Sequence, residues 1–339
     1  MRAPEVSVLM PVFNAGAAVI RAIESIQQQS LQKWELIAVD DGSTDETPAT
    51  LRRISAREPR LRVLAIPHGG IVTALNTGLA QALAPLVARM DADDAAHPER
   101  LAAQANYLRE RPELGLAGCL VEFGGDRQRQ AGYALHVDWI NSLLTPDDIE
   151  LNRFVESPFA HPSVMFRTAL ARQHGGYRHG DFPEDYELWL RWMEAGVATA
   201  KVPRVLLTWN DPPNRLSRVD SRYDPEAFYR CKAGFLARWL RRHVESHRRV
   251  LVWGAGRPTR RRAEFLTGHG VKITGYIDID PRKIGRELAA RPVLGPQEIP
   301  APAKCFILGY VAKRQARGLV RAHLTGLGFI EGRDFLMAS

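Results

Sequence analysis

Cysteine is scarce in this sequence, and long apolar segments are absent from it. The three cysteines stand far apart in the chain, at Cys119, Cys231 and Cys305. They form neither a Cys-x-x-Cys pair nor a metal-binding spacing, which argues against a disulfide framework and indicates a reduced compartment. No apolar run approaches the roughly 18 residues that a membrane-spanning helix needs. Residues 1–5 lead directly into a strand-like run, so we expect no signal peptide.

The remaining composition is that of an ordinary globular protein with an uneven charge. The chain has 339 residues, of which 45% are hydrophobic and 25% are charged, and this length suggests two domains. Residues 1–222 hold 24 Lys and Arg against 28 Asp and Glu, whereas residues 223–339 hold 22 against 10. The basic C-terminal part indicates either contact with an anionic surface or a solvated face that aids solubility.

Three carboxylates follow an apolar run at residues 87–90. Asp91, Asp93 and Asp94 have no place in a core strand, so the chain must leave the sheet here. Asp91 and Asp93 offer the oxygen ligands that Mg2+ or Mn2+ prefers. An isolated Asp-x-Asp is more often a solvated turn that caps the following helix, and we expect Asp94 to cap that helix even where Asp91 and Asp93 bind a metal. The surrounding sequence has to decide between the two interpretations.

Strands and helices alternate through the first part of the chain. Apolar runs predict strands at 6–12, 34–39, 61–66 and 86–90, and helical spacing predicts helices at 17–29, 47–57 and 71–84. Such a succession predicts a parallel sheet, in which ligands bind beyond the carboxyl ends of the strands. The polar clusters lie at those ends, at 11–14, 40–45, 68–70 and 91–94. We therefore expect them to converge on one crevice.

The C-terminal part reads as a basic helix followed by a second α/β unit. Residues 226–244 predict an amphipathic helix, and residues 249–256 predict a strand that runs into a glycine turn. Asp278 lies about twenty residues further on, as a ribose-binding acid would. The turn has only two of the usual glycines, so we expect a scaffold rather than a nucleotide site. The predicted domains are residues 1–222 and 248–339, joined by a helical linker at 223–247.

Residues 1–222 resemble the GT-A fold glycosyltransferases of family 2. The resemblance rests on five stretches in family order and spacing, VSVLMPVFN (6–14), VDDGSTD (39–45), ALNTG (74–78), ARMDADD (88–94) and PEDYELWLR (183–191). It covers about two thirds of the chain and implies an α/β fold with a Rossmann-like, mostly parallel sheet that binds nucleotide-diphosphate sugars. The small Rossmann-like unit would follow this catalytic domain.

The resemblance implies an inverting transfer of one sugar from a nucleotide-diphosphate sugar, with UDP favoured as the carrier. Asp41 would accept a hydrogen bond from the base, beside a base and ribose pocket. The implied nucleotide-sugar contacts are Pro11, Asn14, Asp40, Asp41, Asn76, Arg89 and Asp91. Arg89 could equally pair with an Asp of the acidic loop, and the first amides of the helix after Gly70 could help to neutralise phosphate.

The family also implies the catalytic and metal-binding residues. Asp93 would bind a divalent metal, Mn2+ or Mg2+, and Asp91 would face the metal or the ribose. Asp185 would act as the general base, although an acid at a helix N-terminus is also explained by capping. Glu184 would shape the site and raise the pKa of its neighbour through like charge. His161 and Arg215 are the implied acceptor or lid residues, with a purely structural role as the alternative for His161.

Two departures from the family pattern refine the expected function. Leu75 stands where many relatives have Arg, which removes one phosphate contact. No Gln-x-x-Arg-Trp motif follows Asp185, and this favours transfer of one sugar over a processive synthase. We expect a saccharide or lipid-linked acceptor in surface glycan synthesis, no nucleic acid partner, and a cytoplasmic location. A peripheral contact with an anionic membrane or a polyanionic glycan would use the basic C-terminal part.

Three other functions are compatible with parts of the sequence. A nucleotidyltransferase also uses carboxylates and a metal, but residues 12–16 lack the basic, glycine-rich loop that holds a triphosphate. A non-catalytic module that binds nucleotide sugars would not need the acids at 91, 93 and 185. A dehydrogenase built on the glycines of the C-terminal unit would need a catalytic partner that the sequence does not offer.

Overall fold

The computed structural model describes residues 3–212 and 215–339. As far as the chain is described, it divides into two units. The first comprises Met1–Ile149, Pro158–Gly180 and Glu187–Val219, and the second comprises Glu150–Ser157, Asp181–Tyr186 and Asp220–Ser339. The second unit therefore includes two short segments from the middle of the chain. One of them carries the predicted general base, Asp185.

The first part of the chain alternates strands and helices up to residue 89, as predicted. Its elements are β1 (Val6–Val12), α1 (Ala18–Gln27), β2 (Trp34–Asp40), α2 (Thr47–Ser55), β3 (Leu61–Ala65), α3 (Ile71–Ala80), β4 (Leu86–Arg89), β5 (Ala95–Ala96), α4 (Arg100–Glu110), β6 (Leu114–Phe123), α5 (Ala131–Ser142), α6 (Pro146–Asn152), β7 (Met165–Arg167), α7 (Thr168–His174), α8 (Glu184–Glu194), β8 (Ala198–Trp209) and α9 (Leu216–Val219). A short 3-10 turn, His161–Ser163, precedes β7.

The sheet of the first unit places the predicted strands side by side. Its order is β3-β2-β1-β4-β7-β6-β8-β5 within the described residues. β1 pairs in parallel with β2 and β4, and β2 pairs in parallel with β3, which confirms that four polar loops share one edge. β7 runs antiparallel to both of its neighbours, and the sheet as a whole is mixed. β2 is buried along its whole length, which is typical of a strand covered on both faces.

The second unit contains a smaller α/β sheet, also as predicted. Its elements are α10 (Pro225–His243), β9 (Arg249–Trp253), α11 (Arg257–Gly268), β10 (Ile273–Ile277), β11 (Glu287–Leu288), β12 (Arg291–Leu294), β13 (Cys305–Gly309), α12 (Arg314–Gly326) and β14 (Phe335–Met337). The strand order is β11-β12-β10-β9-β13-β14, and every pair except β11 with β12 is parallel. Among the described residues, no helix is long and apolar enough to cross a membrane.

Helix α3 packs closely on the parallel strands through Gly78, and this contact can be tested. A Cβ atom at position 78 would overlap the Leu9 side chain and approach Val39 Cγ2 to 2.9 Å. We expect Gly78→Ala to lower the free energy of unfolding by about 1–3 kcal/mol in urea titrations, because overpacking outweighs the gain in helix propensity. Gly132→Ala in α5 is the control, since nothing lies within 4 Å of its Cβ. Equal stability of the two variants would contradict this packing.

Candidate active site

The acidic loop after β4 brings three carboxylates together. Asp91, Asp93 and Asp94 each place one carboxylate oxygen within 4.8 Å of the others. Asp94 is buried, with 2% of its surface exposed, and Asp91 and Asp93 are half-buried. The loop is therefore not the solvated turn that an isolated Asp-x-Asp most often forms.

Asn210, which directly follows β8, holds this loop through two hydrogen bonds. Its backbone N–H donates to Asp94 Oδ1 at 2.8 Å, and its side-chain Nδ2 donates to the Asp93 carbonyl at 2.6 Å. Helix α4 has Glu99 at its N-cap position, so the expectation that Asp94 caps this helix is wrong. Asn210 is not among the predicted site residues, because its position before Asp211 and Pro212 indicates only the end of a domain.

Arg89 is an internal partner of the acidic loop. Its side chain, 2% exposed at the end of β4, forms an ion pair with Asp91. Arg100 lies fully buried next to it and donates to the Arg89 carbonyl at 2.7 Å. Of the two roles considered for Arg89, the described contacts support pairing with the acidic loop. The charge of Asp91 is thus balanced within the protein.

The surroundings of Asp93 and Asp94 disfavour the ionised form of both carboxyl groups. Burial and then the charge of Asp91 raise the pKa of Asp93 from 3.8 to about 6. Burial, followed by the charges of Asp91 and Asp93, raises the pKa of Asp94 well above its usual value. Asp94 Oδ2 is buried and has no hydrogen-bond partner among the described residues. An unpartnered buried oxygen in a group of acids fits an oxygen-ligated divalent cation.

The loops after β1 and β2 bind each other at the same sheet edge. Asn14 has a left-handed backbone with a φ of 46°, and its Oδ1 accepts from the Thr44 N–H at 2.8 Å. Its own N–H donates to Ser43 Oγ at 2.9 Å, and the Ser43 N–H donates to Asp40 Oδ1 at 3.1 Å. Pro11 lies in β1 beside these loops. The structure therefore brings Pro11, Asn14 and Asp40 together.

Asp41 ties the loop before α3 to the end of β2. Its two carboxylate oxygens accept from the backbone N–H groups of Gly69 and Gly70, at 2.8 and 2.9 Å. His68 Nδ1 lies 2.9 Å from Asp41 Oδ2. The Phe13 ring stacks on His68 with 4.3 Å between ring centroids, and 48% of Phe13 is exposed. Asp41 therefore holds the loop that leads into α3, and the expectation that the first amides of α3 itself meet phosphate stays a prediction.

Asn76 and His161 contact the same tyrosine. Asn76 pairs through both polar atoms with the Tyr177 backbone, at 2.9 and 3.0 Å. His161 Nε2 lies 2.9 Å from the Tyr177 hydroxyl. Burial and then the charge of Arg89 lower the pKa of His161 well below its usual value, so the imidazole is neutral. The contacts of both residues are those of packed groups, and a ligand role for either stays a prediction.

Arg215 lies on an aromatic surface in the first unit. Its guanidinium is 4.1 Å from the centre of the Trp209 ring, and Nη1 donates to the Tyr133 hydroxyl at 2.5 Å. Its charge acts on Asp93 and Asp94 and partly opposes the rise in their pKa values. The side chain is 14% exposed. Arg215 is thus close enough to the acidic loop to influence its ionisation.

Glu184 and Asp185 begin helix α8, within the second unit. Glu184 is 1% exposed and accepts a hydrogen bond from the Tyr223 hydroxyl at 2.6 Å. Asp185 is half-buried, and its Oδ1 accepts from the Tyr186 N–H at 2.7 Å. Asp185 thus contacts the next residue of its own helix, whereas Glu184 contacts Tyr223, 39 residues further along the chain. The sequence did not reveal Tyr223, which lies outside every family motif.

The glycine turn after β9 is in close contact with neighbouring residues of the second unit. Gly254 has a φ of +114°, and a Cβ there would meet Thr259 and the Tyr310 carbonyl. Asp278 Oδ2, predicted at the position of a ribose-binding acid, accepts from the Ala255 N–H and from Lys283 Nζ, both at 2.9 Å. These contacts favour the scaffold interpretation of the second unit.

The repulsion within the acidic loop predicts the effect of removing one charge. A carboxyl whose pKa is higher in the folded protein binds more protons there, so stability falls as pH rises from about 4 to 6. Above pH 6 the full cost remains, about 1–3 kcal/mol. We therefore expect Asp93→Asn to raise the free energy of unfolding of the metal-free protein by this amount at about pH 8.

The measurement is urea unfolding in the presence of a chelator. Asp138→Asn is the control, because Asp138 is half exposed and paired with Arg127 on the surface, and it should change stability by less than about 1 kcal/mol. A less stable Asp93→Asn protein would show that the three acids do not repel each other as the geometry indicates.

Comparisons with known proteins agree with the geometry. The family model described as "Glycosyl transferase family 2" matches residues 7–174. The chain is 33% identical over 211 residues to the amylovoran biosynthesis glycosyltransferase AmsE of Erwinia amylovora, covering 59% of this chain and 74% of that protein. It is 25% identical over 244 residues to the O-antigen biosynthesis glycosyltransferase WbnJ of Escherichia coli, covering 70% and 90%.

Solved structures share the fold. S. aureus TarS 1-349 in complex with UDP-GlcNAc matches with a TM-score of 0.55 and 17% identity, over 78% of this chain and 71% of that one. The mannosyltransferase PcManGT of Pyrobaculum calidifontis, in complex with GDP-Man and Mn2+, matches with a TM-score of 0.50 and 20% identity, over 80% and 74%. The fold is that of GT-A enzymes, and the chain belongs to glycosyltransferase family 2 and is a glycosyltransferase.

Proposed function

We propose that this glycosyltransferase is inverting and metal-dependent and transfers one sugar from a UDP sugar to a saccharide or lipid-linked acceptor. The observation that carries the proposal is the cluster of Asp91, Asp93 and Asp94 at the carboxyl edge of the parallel strands. Ligands of such sheets bind at this edge. The names of the relatives from E. amylovora and E. coli refer to amylovoran and O-antigen, so the product we propose is a surface polysaccharide.

The chemistry of the acidic loop suits Mn2+ or Mg2+. Asp93 and Asp94 would hold the metal, because among the described residues their charges have no ion pair like the one that Arg89 forms with Asp91. Asp91 would lie between the metal and the ribose. A bound divalent ion would neutralise charge that develops on the leaving diphosphate. The Mn2+ in the structure of PcManGT supports this choice of metal.

The nucleotide would occupy the loops after β1 and β2. The exposed ring of Phe13, supported from behind by His68, offers a flat apolar surface on which a base can stack. Pro11, Asn14 and Asp40 would line the base and ribose pocket. Asp41 holds the loop before α3 and would meet the base beside it. UDP is favoured because uracil offers an N–H to a carboxylate, and UDP-GlcNAc is bound in the S. aureus TarS structure.

Asp185 would be the general base of a single displacement. The acceptor hydroxyl oxygen forms a bond to the anomeric carbon as the bond to the diphosphate breaks, and the proton of the hydroxyl passes to the Asp185 carboxylate. This displacement inverts the anomeric centre without a covalent intermediate. Asn76 would support the pocket through Tyr177, and His161 and Arg215 would border the acceptor and lid regions.

Donor binding and turnover test this assignment together. We expect UDP with Mn2+ to raise the melting temperature of the wild-type protein by about 5 °C at saturating ligand. GDP and TDP are run in parallel to identify the carrier. Asp93→Asn should lose most of the metal-dependent shift. Asp185→Asn should keep it, because its carboxylate acts on the acceptor, while release of UDP from the matching UDP sugar falls at least about 100-fold.

The two variants separate binding from chemistry. No Mn2+-dependent shift in the wild-type protein would overturn the metal-dependent mechanism. An Asp185→Asn protein with full turnover would overturn the choice of base. Lys201→Met, at a buried lysine of the first sheet, would change stability without reproducing either pattern.

The basic C-terminal part would meet an anionic membrane. Five exposed cations cluster at the amino ends of β9, β10 and β13 and at the end of α10, namely Arg241, Arg242, Arg249, Lys272 and Lys304. The parallel register sets Arg249 opposite Cys305 and Val250 opposite Ile273, which brings Lys304 and Lys272 beside Arg249. We call this group the basic edge. A lipid-linked acceptor would be reached at such a surface.

Matched charge reversals test the basic edge. Replacing Arg249, Lys272 and Lys304 by Glu should weaken binding to vesicles with phosphatidylglycerol about 100-fold at low salt, since each cation contributes about 1 kcal/mol. The control replaces Arg257, Arg286 and Lys313, which are exposed after the carboxyl ends of the same strands. Equal losses in both variants, measured by sedimentation, would indicate only an effect of net charge.

A further inference from the structure

The segment that carries the proposed base packs within the second unit. Asp181–Tyr186 is grouped with Glu150–Ser157 and Asp220–Ser339, whereas the rest of helix α8 belongs to the first unit. The family resemblance ends near residue 222, and it therefore assigns the C-terminal part no role in catalysis. The contacts of Glu184 and Tyr186 indicate a different role.

Tyr223 contacts Glu184, the residue that precedes the proposed base. Its hydroxyl donates to Glu184 Oε2 at 2.6 Å, a short hydrogen bond to a carboxylate that is 1% exposed. Burial, followed by the charges of Glu184 and Asp185, raises the pKa of Tyr223 far above its usual value, so the phenol stays protonated and donates. A buried carboxylate without such a donor would be costly to keep charged. Arg222, paired with Asp220, adds a positive charge near Glu184.

Tyr186, the residue after the proposed base, is held in place by the contacts of its side chain. Its side chain is fully buried, and its hydroxyl donates to the Arg153 carbonyl at 2.6 Å. Its ring lies 5.5 Å from the ring of Phe228, which is on α10. Glu184 and Tyr186 flank Asp185 in the first turn of α8, so both neighbours of the base are fixed by residues of the second unit.

Lys232 extends this support to the C-terminal strand. It is buried in α10, and its Nζ donates to the carbonyls of Phe154, Val155 and Ala338, at 2.8, 3.1 and 2.7 Å. Arg321 on α12 donates to Asn152 Oδ1 at 2.9 Å. The segment that receives the Tyr186 hydroxyl is therefore held by both α10 and the end of the chain.

We propose that Tyr223 is a positioning residue, which fixes Glu184 in its ionised form and thereby orients Asp185 for proton abstraction. The second unit would thus be part of the catalytic machinery, although none of its C-terminal residues needs to touch substrate. This inference rests on the proposed role of Asp185 as the base. It assigns to Glu184 the task of carrying the effect from Tyr223 to Asp185.

Tyr223→Phe in the full chain tests the proposal, with release of UDP from the UDP sugar as the assay. We expect kcat to fall about 10-fold and the KM for the donor to stay within about 2-fold, because the donor pocket is untouched. The acid limb of the kcat–pH profile should move to lower pH, since Glu184 would take up a proton and remove a negative charge beside Asp185. A purely structural role would leave this limb in place.

A double-mutant cycle shows whether Tyr223 acts through Glu184. Glu184→Gln should lower kcat to a similar extent, and adding Tyr223→Phe to it should cost less than about 2-fold more. The control is Tyr276→Phe, which removes a buried hydroxyl that accepts from Arg291 at 2.9 Å in the same unit. We expect Tyr276→Phe to have the same melting temperature as Tyr223→Phe and to leave kcat and its pH profile unchanged.

The outcomes distinguish this inference from the proposed function. If Asp185→Asn is inactive while Tyr223→Phe keeps the wild-type kcat and pH profile, positioning through Tyr223 is overturned and the base remains. If Asp185→Asn is fully active, the base itself is wrong. Losses from Tyr223→Phe and Glu184→Gln that simply multiply would show that the two residues act independently, which also overturns the proposal.

Discussion

The crowding of three carboxylates at the end of β4 is the constraint on which the rest of the site depends. Like charges at this spacing in a half-buried loop repel each other, and burial adds to the cost of ionisation. The protein balances one of them with the buried Arg89 and holds the loop through Asn210. The remaining charge is what the proposed divalent cation would offset.

The other loops at this edge are arranged before any ligand arrives. Asn14, Asp40 and Asp41 accept hydrogen bonds from backbone groups of the loops at this edge, and these bonds fix the backbone around the crevice. These three residues, which the family resemblance identifies as ligand contacts, therefore also hold the loops in place. Such preorganisation would lower the entropy lost when the proposed nucleotide binds, because the loops would not have to be ordered by it.

The boundary between the two units differs from the boundary of the family resemblance. Asp93 and the nucleotide loops belong to the first unit, while Glu184 and Asp185 start α8 within the second. Helix α10, which the sequence indicates as a basic linker, contributes Phe228 and Lys232 to the surroundings of that segment. Its charged residues and its buried residues therefore have separate roles, one at the surface and one next to the proposed base.

The sequence by itself determined the order of strands and helices up to β4 and the edge at which the acids lie, because hydrophobic periodicity and the short loops of a parallel sheet leave little choice. It also determined the family, since five motifs recur in order. Only the tertiary structure decided that Arg89 pairs with Asp91, that Asp94 is buried rather than a helix cap, and that Tyr223 reaches Glu184. The physical reason is that these contacts join residues distant in sequence, or depend on side-chain burial, and local patterns carry no information on either.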